Sequence, residues 1–152
     1  MSTVKQAGTR IAYNSTLAGT LAAQGPLASI PSGWTLVPNI LALSDLKPKD
    51  TNVFDDSSLE DTAQVVDIEY RAGMGSFTKK KNAVSPALFT LADAGTKVNI
   101  AVIYADGSAH VATSARFVCQ SAGKANAGDF QHKVEESWQM VPDTFFVFQD
   151  HA

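Results

Sequence analysis

The histidine and cysteine side chains are the first candidates for chemistry in this chain, and their spacing predicts none. His110, His132 and His151 are scattered. His110 and His132 could meet on adjacent strands, but no third metal ligand is specified. Cys119 lies within a predicted strand without an evident histidine partner, so it lacks the setting of an activated nucleophile. We therefore expect no metal site and no catalytic residue.

Three further motifs are too incomplete to carry a reaction. Gly73 and Gly75 form a glycine pair without the lysine and the following helix of a phosphate-binding loop. The acids of residues 50–61 lack the glycine-punctuated spacing of an EF-hand calcium loop. Glu135 and Glu136 are adjacent, so in a strand they point to opposite faces and cannot act as a carboxylate pair. The sequence predicts a protein that is not an enzyme and that uses no cofactor.

The composition favours a protein that associates with copies of itself. Charged residues make up 18% of the 152 residues, against a usual share of roughly 25%. The net charge of −3 argues against a high-affinity nucleic-acid binder. The only basic cluster, Lys79-Lys80-Lys81, is short and is interpreted as a solvated loop.

Several processing and membrane signals are missing. Cys119 is the single cysteine, so an intramolecular disulfide is impossible, which fits assembly in a reducing cytoplasm. No apolar segment follows Lys5 and Arg10, so no signal peptide is predicted. No apolar run reaches transmembrane length, and we expect no membrane partner.

Residues 1–33 are predicted to form an N-terminal arm, and residues 34–152 a single β-rich domain. The arm is rich in small residues and poorly patterned, although residues 10–16 could make a short strand. Residues 34–43 form the first convincing strand, with Pro38 forcing a bend, a bulge or an edge position. Residues 44–61 are predicted to be a long polar loop. Its apolar pair, Val53 and Phe54, would gain no stabilising contact if the loop met only water.

One helix is predicted, over about residues 85–94. Ser85 can cap its first turn, and Pro86 suits the first helical position. Leu88, Leu91 and Ala92 form an apolar stripe at helical spacing, and Gly95 fits the left-handed position after the last turn. A helix of this length is not stable alone, so it must pack on a sheet.

The remaining segments read as strands. Alternating patterns cover residues 64–71, 97–105, 109–120 and 130–140, and Asp106-Gly107 predicts a hairpin with a two-residue loop. Gly73 and Gly75 should break or bulge the chain. One face of residues 109–120 is predicted to hold Val111, Thr113, Ala115, Phe117 and Cys119. The predicted fold is mainly β: an antiparallel sandwich or barrel-like domain with one short flanking α-helix.

The last strand needs a cover. Both faces of this strand are apolar, because its consecutive residues are Phe145, Phe146, Val147 and Phe148. An exposed strand of this kind aggregates. It is either a central strand of the sandwich or an intersubunit strand, and the pattern does not separate these two interpretations.

The layout resembles the tail tube (major tail) proteins of long-tailed bacteriophages. Four stretches, together covering about residues 33–149, carry this resemblance: Gly33-Trp34-Thr35-Leu36-Val37-Pro38-Asn39-Ile40, Val65-Val66-Asp67-Ile68-Glu69-Tyr70, the helix-to-hairpin run 85–107, and the closing strands with the loop 123–129. The likeness lies in the order and pattern of elements. The residues before position 33 and the Phe-rich end match least well.

The resemblance implies a self-assembling virion protein. Such subunits form hexameric rings that stack into a tube, and genomic DNA passes through the lumen without specific binding. Its other partners would be the tape measure, the terminator and the initiator complex, and it would be assembled in the host cytoplasm. The residues implied in ring stacking are Asn52, Val53, Phe54, Asp55 and Asp56. The candidate lumen-facing residues are Asp67, Glu69, Lys133 and Glu135, and because Arg71 and Arg116 share such faces the wall is not uniformly negative.

Two alternative functions stay open. One is another virion protein of related β fold, namely a tail terminator, a head–tail joining protein or a capsid decoration protein. The other is a small β-sandwich that binds a carbohydrate or protein ligand, which would need exposed aromatic rings. Trp34 and Trp138 could serve, but their strand parity places them more naturally in the core.

Overall fold

The computed structural model of the protein describes residues 8–15, 33–60, 62–64, 66–124 and 134–150. Eight strands and one helix make up the fold. They are β1 (Arg10–Asn14), β2 (Thr35–Val37), β3 (Ile40–Asp55), β4 (Val66–Lys80), α1 (Ser85–Ala94), β5 (Val98–Ile103), β6 (Ala109–Lys124), β7 (Glu135–Pro142) and β8 (Val147–Gln149).

All the strand pairs in the sheet are antiparallel. The strand order is β2-β1-β5-β6-β7-β4-β3, and β8 pairs with β6 beside this path. The mainly β prediction with one helix is confirmed, and the sheet is not closed into a barrel. In the described part of the chain, the two end strands β2 and β3 therefore each keep one unpaired edge.

Apolar side chains are buried on both faces of the sheet. β5 contributes to both, because alternate residues of a strand point to opposite faces. Ile100 and Val102 belong to a large cluster that includes residues of α1, β6 and β7. Ala101 and Ile103 belong to a smaller cluster on the other face, with Trp34 at its margin. This burial on both faces fits the sequence of β5, in which Asn99 is the only polar residue.

The helix α1 forms as predicted and closes the larger cluster. Leu88 is fully buried, and Leu91 and Ala92 pack against the same cluster. Burying a leucine contributes roughly 1.5–3 kcal/mol, which such a short helix needs to stay folded. Gly95 has φ 64°, and its amide and that of Thr96 satisfy carbonyl groups of the last turn.

The predicted division into an arm and a domain is wrong at one place. Arg10–Asn14 is an inner strand of the sheet, between β2 and β5, and Ile11 and Ala12 are fully buried. The short strand expected near residue 10 is thus confirmed, but it belongs to the core. The rest of the predicted arm, residues 1–7 and 16–32, lies outside the described residues. The bend expected at Pro38 separates β2 from β3, with Asn39 at φ 61°.

The predicted loop over residues 44–61 is also wrong. Most of it is the outer part of β3, which runs to Asp55 and pairs with β4 along almost its whole length. Only residues 56–65 connect the two strands. The segment lacks alternation because its outer part is exposed on both faces. It tolerates Pro48 because an edge strand can do without one ladder donor.

The glycine pair does not break the chain, contrary to prediction. β4 continues through Gly73 and Gly75, and the irregularity lies in its partner β3, between Ser44 and Lys47. A β-carbon on Gly73 would overlap the backbone carbonyl oxygen of Pro48. Gly73 is therefore a site of close backbone approach.

Gly73→Ala is expected to lower the free energy of unfolding by about 1–3 kcal/mol, because the added methyl group meets backbone that cannot move without disturbing the ladder. Gly75→Ala is the matched control. Its β-carbon would meet only flexible side-chain ends, at 2.8 Å, which can turn aside. Urea unfolding of the two variants measures the difference, and equal losses would contradict the close-approach explanation.

The hairpin at Asp106-Gly107 forms, but its loop is longer than the two residues predicted, because the Tyr104 amide donates to the Ser108 carbonyl oxygen with three residues between them. After this loop β6 changes face. Ser114 has φ 55°, and the register with β5 shifts between the pairs Ile100–Ala112 and Val98–Ala115. One extra residue in a strand moves every later side chain to the other face. The predicted single face is therefore wrong: Val111 joins the smaller cluster, whereas Phe117 joins the larger one.

Candidate functional site

A buried polar cluster under α1 is the arrangement most like a reactive centre. The Lys79 ammonium donates to Glu136 Oε1 at 2.7 Å and to Ser85 Oγ at 2.8 Å. Ser85 Oγ donates to the same carboxylate oxygen at 3.0 Å, and Trp138 Nε1 lies 3.3 Å from it. A lysine beside a serine hydroxyl is one way to activate a nucleophile.

Because this cluster is buried, its role is structural. Lys79 and Glu136 are 0% exposed and Ser85 is 1% exposed, so no substrate reaches the hydroxyl. Two predictions are corrected here. Lys79 is not in a solvated loop, and Ser85 does not cap α1, whose N-cap is Val84 without a side-chain cap.

The signal for this cluster was present in the sequence. Glu136 shares its strand parity with Trp138, as Lys79 does with Phe77, and both aromatic residues are buried. Two opposite charges on the core faces of strands predict a buried ion pair once those strands are known to be neighbours. The expectation that Glu135 and Glu136 point to opposite faces is confirmed, since Glu136 is buried and Glu135 is half-buried.

The other chemical candidates are isolated. Burial, with a smaller contribution from Glu136, raises the pKa of the Cys119 thiol, which disfavours the reactive thiolate. Burial lowers the pKa of His110, and its Nδ1 lies 2.7 Å from the Tyr104 hydroxyl. No group of three or more His, Cys, Asp or Glu side chains in the described ranges is placed to hold a metal ion. His132 and His151 lie outside those ranges.

Helix α1 does not have the dimensions of a membrane span. Within the residues that the structure describes, no helix is both long enough and apolar enough to cross a bilayer.

The outer part of the β3–β4 hairpin is the strongest candidate for a functional surface. We name residues 50–71 the hairpin arm. It starts at the directly opposed pair Asp50 and Arg71, and its ladder ends at Asp55 and Val66. A two-stranded ribbon is marginally stable at best unless a third strand or another surface covers it. No other described strand pairs with this part of the hairpin.

The two faces of the hairpin arm differ in chemistry. Val53 lies opposite Ile68 on one face, where Tyr70 follows them, and these side chains are 64%, 53% and 55% exposed. Phe54 lies on the other face, opposite Asp67. Neighbouring apolar side chains with this much exposure mark a surface that binds a partner.

The residues implied in ring stacking all lie on this arm. Asn52 to Asp55 are the last residues of β3, and Asp56 follows directly. Asp55 Oδ1 accepts a hydrogen bond from the Ser57 amide at 3.0 Å, and the hydrogen bonds from Ser57 lower the pKa of that carboxyl. Asp55 thus stays charged at neutral pH. What the sequence did not reveal is that Ile68 and Tyr70 complete the surface.

The candidate lumen residues are not brought together. Asp67 and Glu69 lie on the hairpin arm, whereas Glu135 lies opposite Lys80 at the far end of β4. Thirteen positions separate Asp67 from Lys80, which is roughly 40 Å of extended strand. Lys133 lies outside the described residues. These charges therefore do not form one local patch.

The Phe-rich end divides between the core and the surface. Phe146 is buried in the larger cluster, while Val147 and Phe148 are 61% and 55% exposed. Lys49 Nζ lies over two aromatic rings, 4.6 Å from the ring centroid of Phe145 and 4.7 Å from that of Tyr70. β8 pairs with β6 beside the main strand order, so the interpretation as a central strand is wrong.

Comparison with known proteins adds no family. No protein-family model matches this sequence, and no curated protein matches it either. The geometry of the hairpin arm and of the free strand edges therefore carries the functional argument.

Proposed function

We propose that this protein is a structural subunit that assembles with copies of itself. The observation that carries the proposal is the hairpin arm, a two-stranded ribbon whose residues Val53, Ile68 and Tyr70 are all more than half exposed. A ribbon of this kind gains stability when a partner covers its apolar face. The position of β3 at the end of the described strand order supports the same conclusion, because an edge strand readily pairs with another chain.

The assembly that we propose is the tail tube of a long-tailed bacteriophage. This step rests on the resemblance in the order and pattern of elements along the sequence, and it implies hexameric rings stacked into a conduit for DNA. The charge of the hairpin arm agrees with it, since acidic surfaces do not retain the phosphate backbone. The protein would then reside in the virion tail, with the tape measure, terminator and initiator proteins as further partners.

A tail terminator, a head–tail joining protein and a capsid decoration protein are the related alternatives. They differ in the extent of assembly, because a terminator forms one ring and stops. A ligand-binding module that uses its tryptophans is less favoured, since Trp138 is fully buried and Trp34 nearly so.

Negative-stain electron microscopy of the purified protein, across a concentration series, tests the proposal. We expect rings with a central hole that lengthen into tubes as the concentration rises. Single rings at every concentration would favour the terminator. Monomers at the highest concentration, verified by light scattering, would contradict self-assembly.

A further inference from the structure

The charges of this chain are strongly divided between the hairpin arm and the rest of the molecule. The hairpin arm, residues 50–71, contains seven Asp and Glu residues and one basic residue, Arg71, so it carries a charge of −6. Because the whole chain carries −3, the remaining residues carry +3. Charges divided in this way attract the acidic part of one copy to the basic part of another.

A groove lies at the other end of β3. It has a volume of about 240 Å³ and is open to solvent, and it is lined by Thr9, Ile11, Ile40, Leu41, Ala42 and Leu43. The lining is mostly aliphatic. A cavity of about 150 Å³ already holds a benzene ring, so this groove has room for one large apolar side chain.

The lysines at the end of β4 lie beside the first residues of β3, which line this groove. Ile40 pairs with Lys79 in β4, and the amide of Lys80 donates to the carbonyl oxygen of Asn39. Lys80 and Lys81 are both exposed. An acidic partner would therefore meet favourable charge next to the apolar lining.

The tip of the hairpin arm has the complementary chemistry. Leu59 lies in the connection between β3 and β4 and is fully exposed, and the acids Asp55, Asp56 and Glu60 surround it in sequence. The tip and the groove are separated by about 12 residues of β3, or roughly 40 Å of strand. One copy cannot join its own tip to its own groove, because β3 holds them apart.

We propose that the tip of the hairpin arm docks into the groove of a second copy, with Leu59 seated on Leu41 and the acids of the tip beside Lys80 and Lys81. The docking rests on the proposed self-assembly and names the surface that receives the arm. A contact between two different surfaces of the same chain is heterologous, so it extends from copy to copy along the strand direction instead of closing a pair.

Disulfide trapping tests this docking. All variants carry Cys119→Ser, so that the introduced cysteines are the only thiols. Leu59→Cys protein is mixed with Leu41→Cys protein under oxidised glutathione. Docking raises the local thiol concentration, so we expect about tenfold or more of the mixed dimer over the control pair. That control pairs Leu59→Cys with Val118→Cys, because Val118 is 41% exposed and Leu41 is 39% exposed.

Ionic strength tests the charge component. At about 1 M salt the Debye length falls to about 3 Å, so attraction between the acidic tip and the basic surround is screened. We expect the yield of the Leu59–Leu41 dimer to fall as salt rises. A yield that is independent of salt would overturn the electrostatic part of the docking.

The outcomes separate this docking from the proposed function. Rings or tubes in the same samples without the Leu59–Leu41 link would overturn the docking and leave self-assembly standing. Neither assemblies nor the link would overturn both. A predominant link between two Leu59→Cys copies would show tip-to-tip contact and would also overturn the docking.

Discussion

Lys79→Met is expected to lower the free energy of unfolding by about 3–5 kcal/mol, because it leaves Glu136 as a buried charge without its partner. The Lys79 ammonium, at 2.7 Å, is the only cation that contacts this carboxylate among the described salt bridges. A loss of this size is a large part of the roughly 5–15 kcal/mol that keeps a domain folded. Urea unfolding followed by tryptophan fluorescence measures it.

Adding Glu136→Gln to Lys79→Met is expected to restore most of the lost stability. The amide removes the unpaired charge, while its oxygen still accepts from Ser85 and Trp138. The double variant also keeps the test informative if the single variant does not fold. A double variant no more stable than the single one would show that the uncompensated charge is not the cause.

The exposed ion pair of Lys97 with Asp143 is the matched control. Its nitrogen–oxygen distance is 2.8 Å, against 2.7 Å in the buried pair, but its side chains are 54% and 35% exposed. Lys97→Ala should cost no more than about 1 kcal/mol, because water screens such a pair. The contrast between the two lysines isolates the effect of burial.

Replacing residues 51–70 by Asn-Gly is expected to abolish assembly and leave a folded monomer. The new turn would join Asp50 to Arg71, which already face each other across the hairpin, and Asn-Gly suits a two-residue hairpin turn. The described side chains removed are exposed or, for Asn52, half-buried, so the core is kept. Electron microscopy and light scattering measure assembly, and thermal unfolding checks the fold.

A full-length variant with Glu69→Gln and Arg71→Gln is the control for a change on the arm that leaves its apolar residues in place. Both residues lie on the face opposite Val53, Ile68 and Tyr70, and removing one charge of each sign leaves the net charge of the arm unchanged. We expect this variant to form rings. Rings formed by the shortened chain at the same concentration would show that the hairpin arm is not needed for assembly.

The elements predicted correctly are those with strong local signals. Helix α1 has its apolar stripe of Leu88, Leu91 and Ala92 and its terminal Gly95. The position of the hairpin at Asp106-Gly107 follows from the preference of Asp-Gly for hairpin turns. The alternating pattern over residues 97–105 predicted β5, and Val98, Ile100 and Val102, which share one parity, all belong to the larger cluster. These segments depend on interactions within a few residues, which a single sequence displays directly.

The segments predicted wrongly depend on partners far away in the chain. β3 looks like a loop until β4 supplies the ladder that holds Val53 opposite Ile68. The extra residue at Ser114 places all later side chains of β6 on the opposite face of the sheet. Only the register of β6 against β5 shows this change. Pattern alone could not decide either case, because a polar edge strand and a polar loop have the same composition.

The sequence by itself determined a mainly β fold with one helix and the apolar pair Val53 and Phe54 within a polar segment. Only the tertiary structure decided that Arg10–Asn14 is an inner strand and that Lys79 and Glu136 form an ion pair inside the core. The reason is physical. A charge is stable in the interior only when a specific opposite charge meets it there, and the pairing of β4 with β7 brings together two residues 57 positions apart.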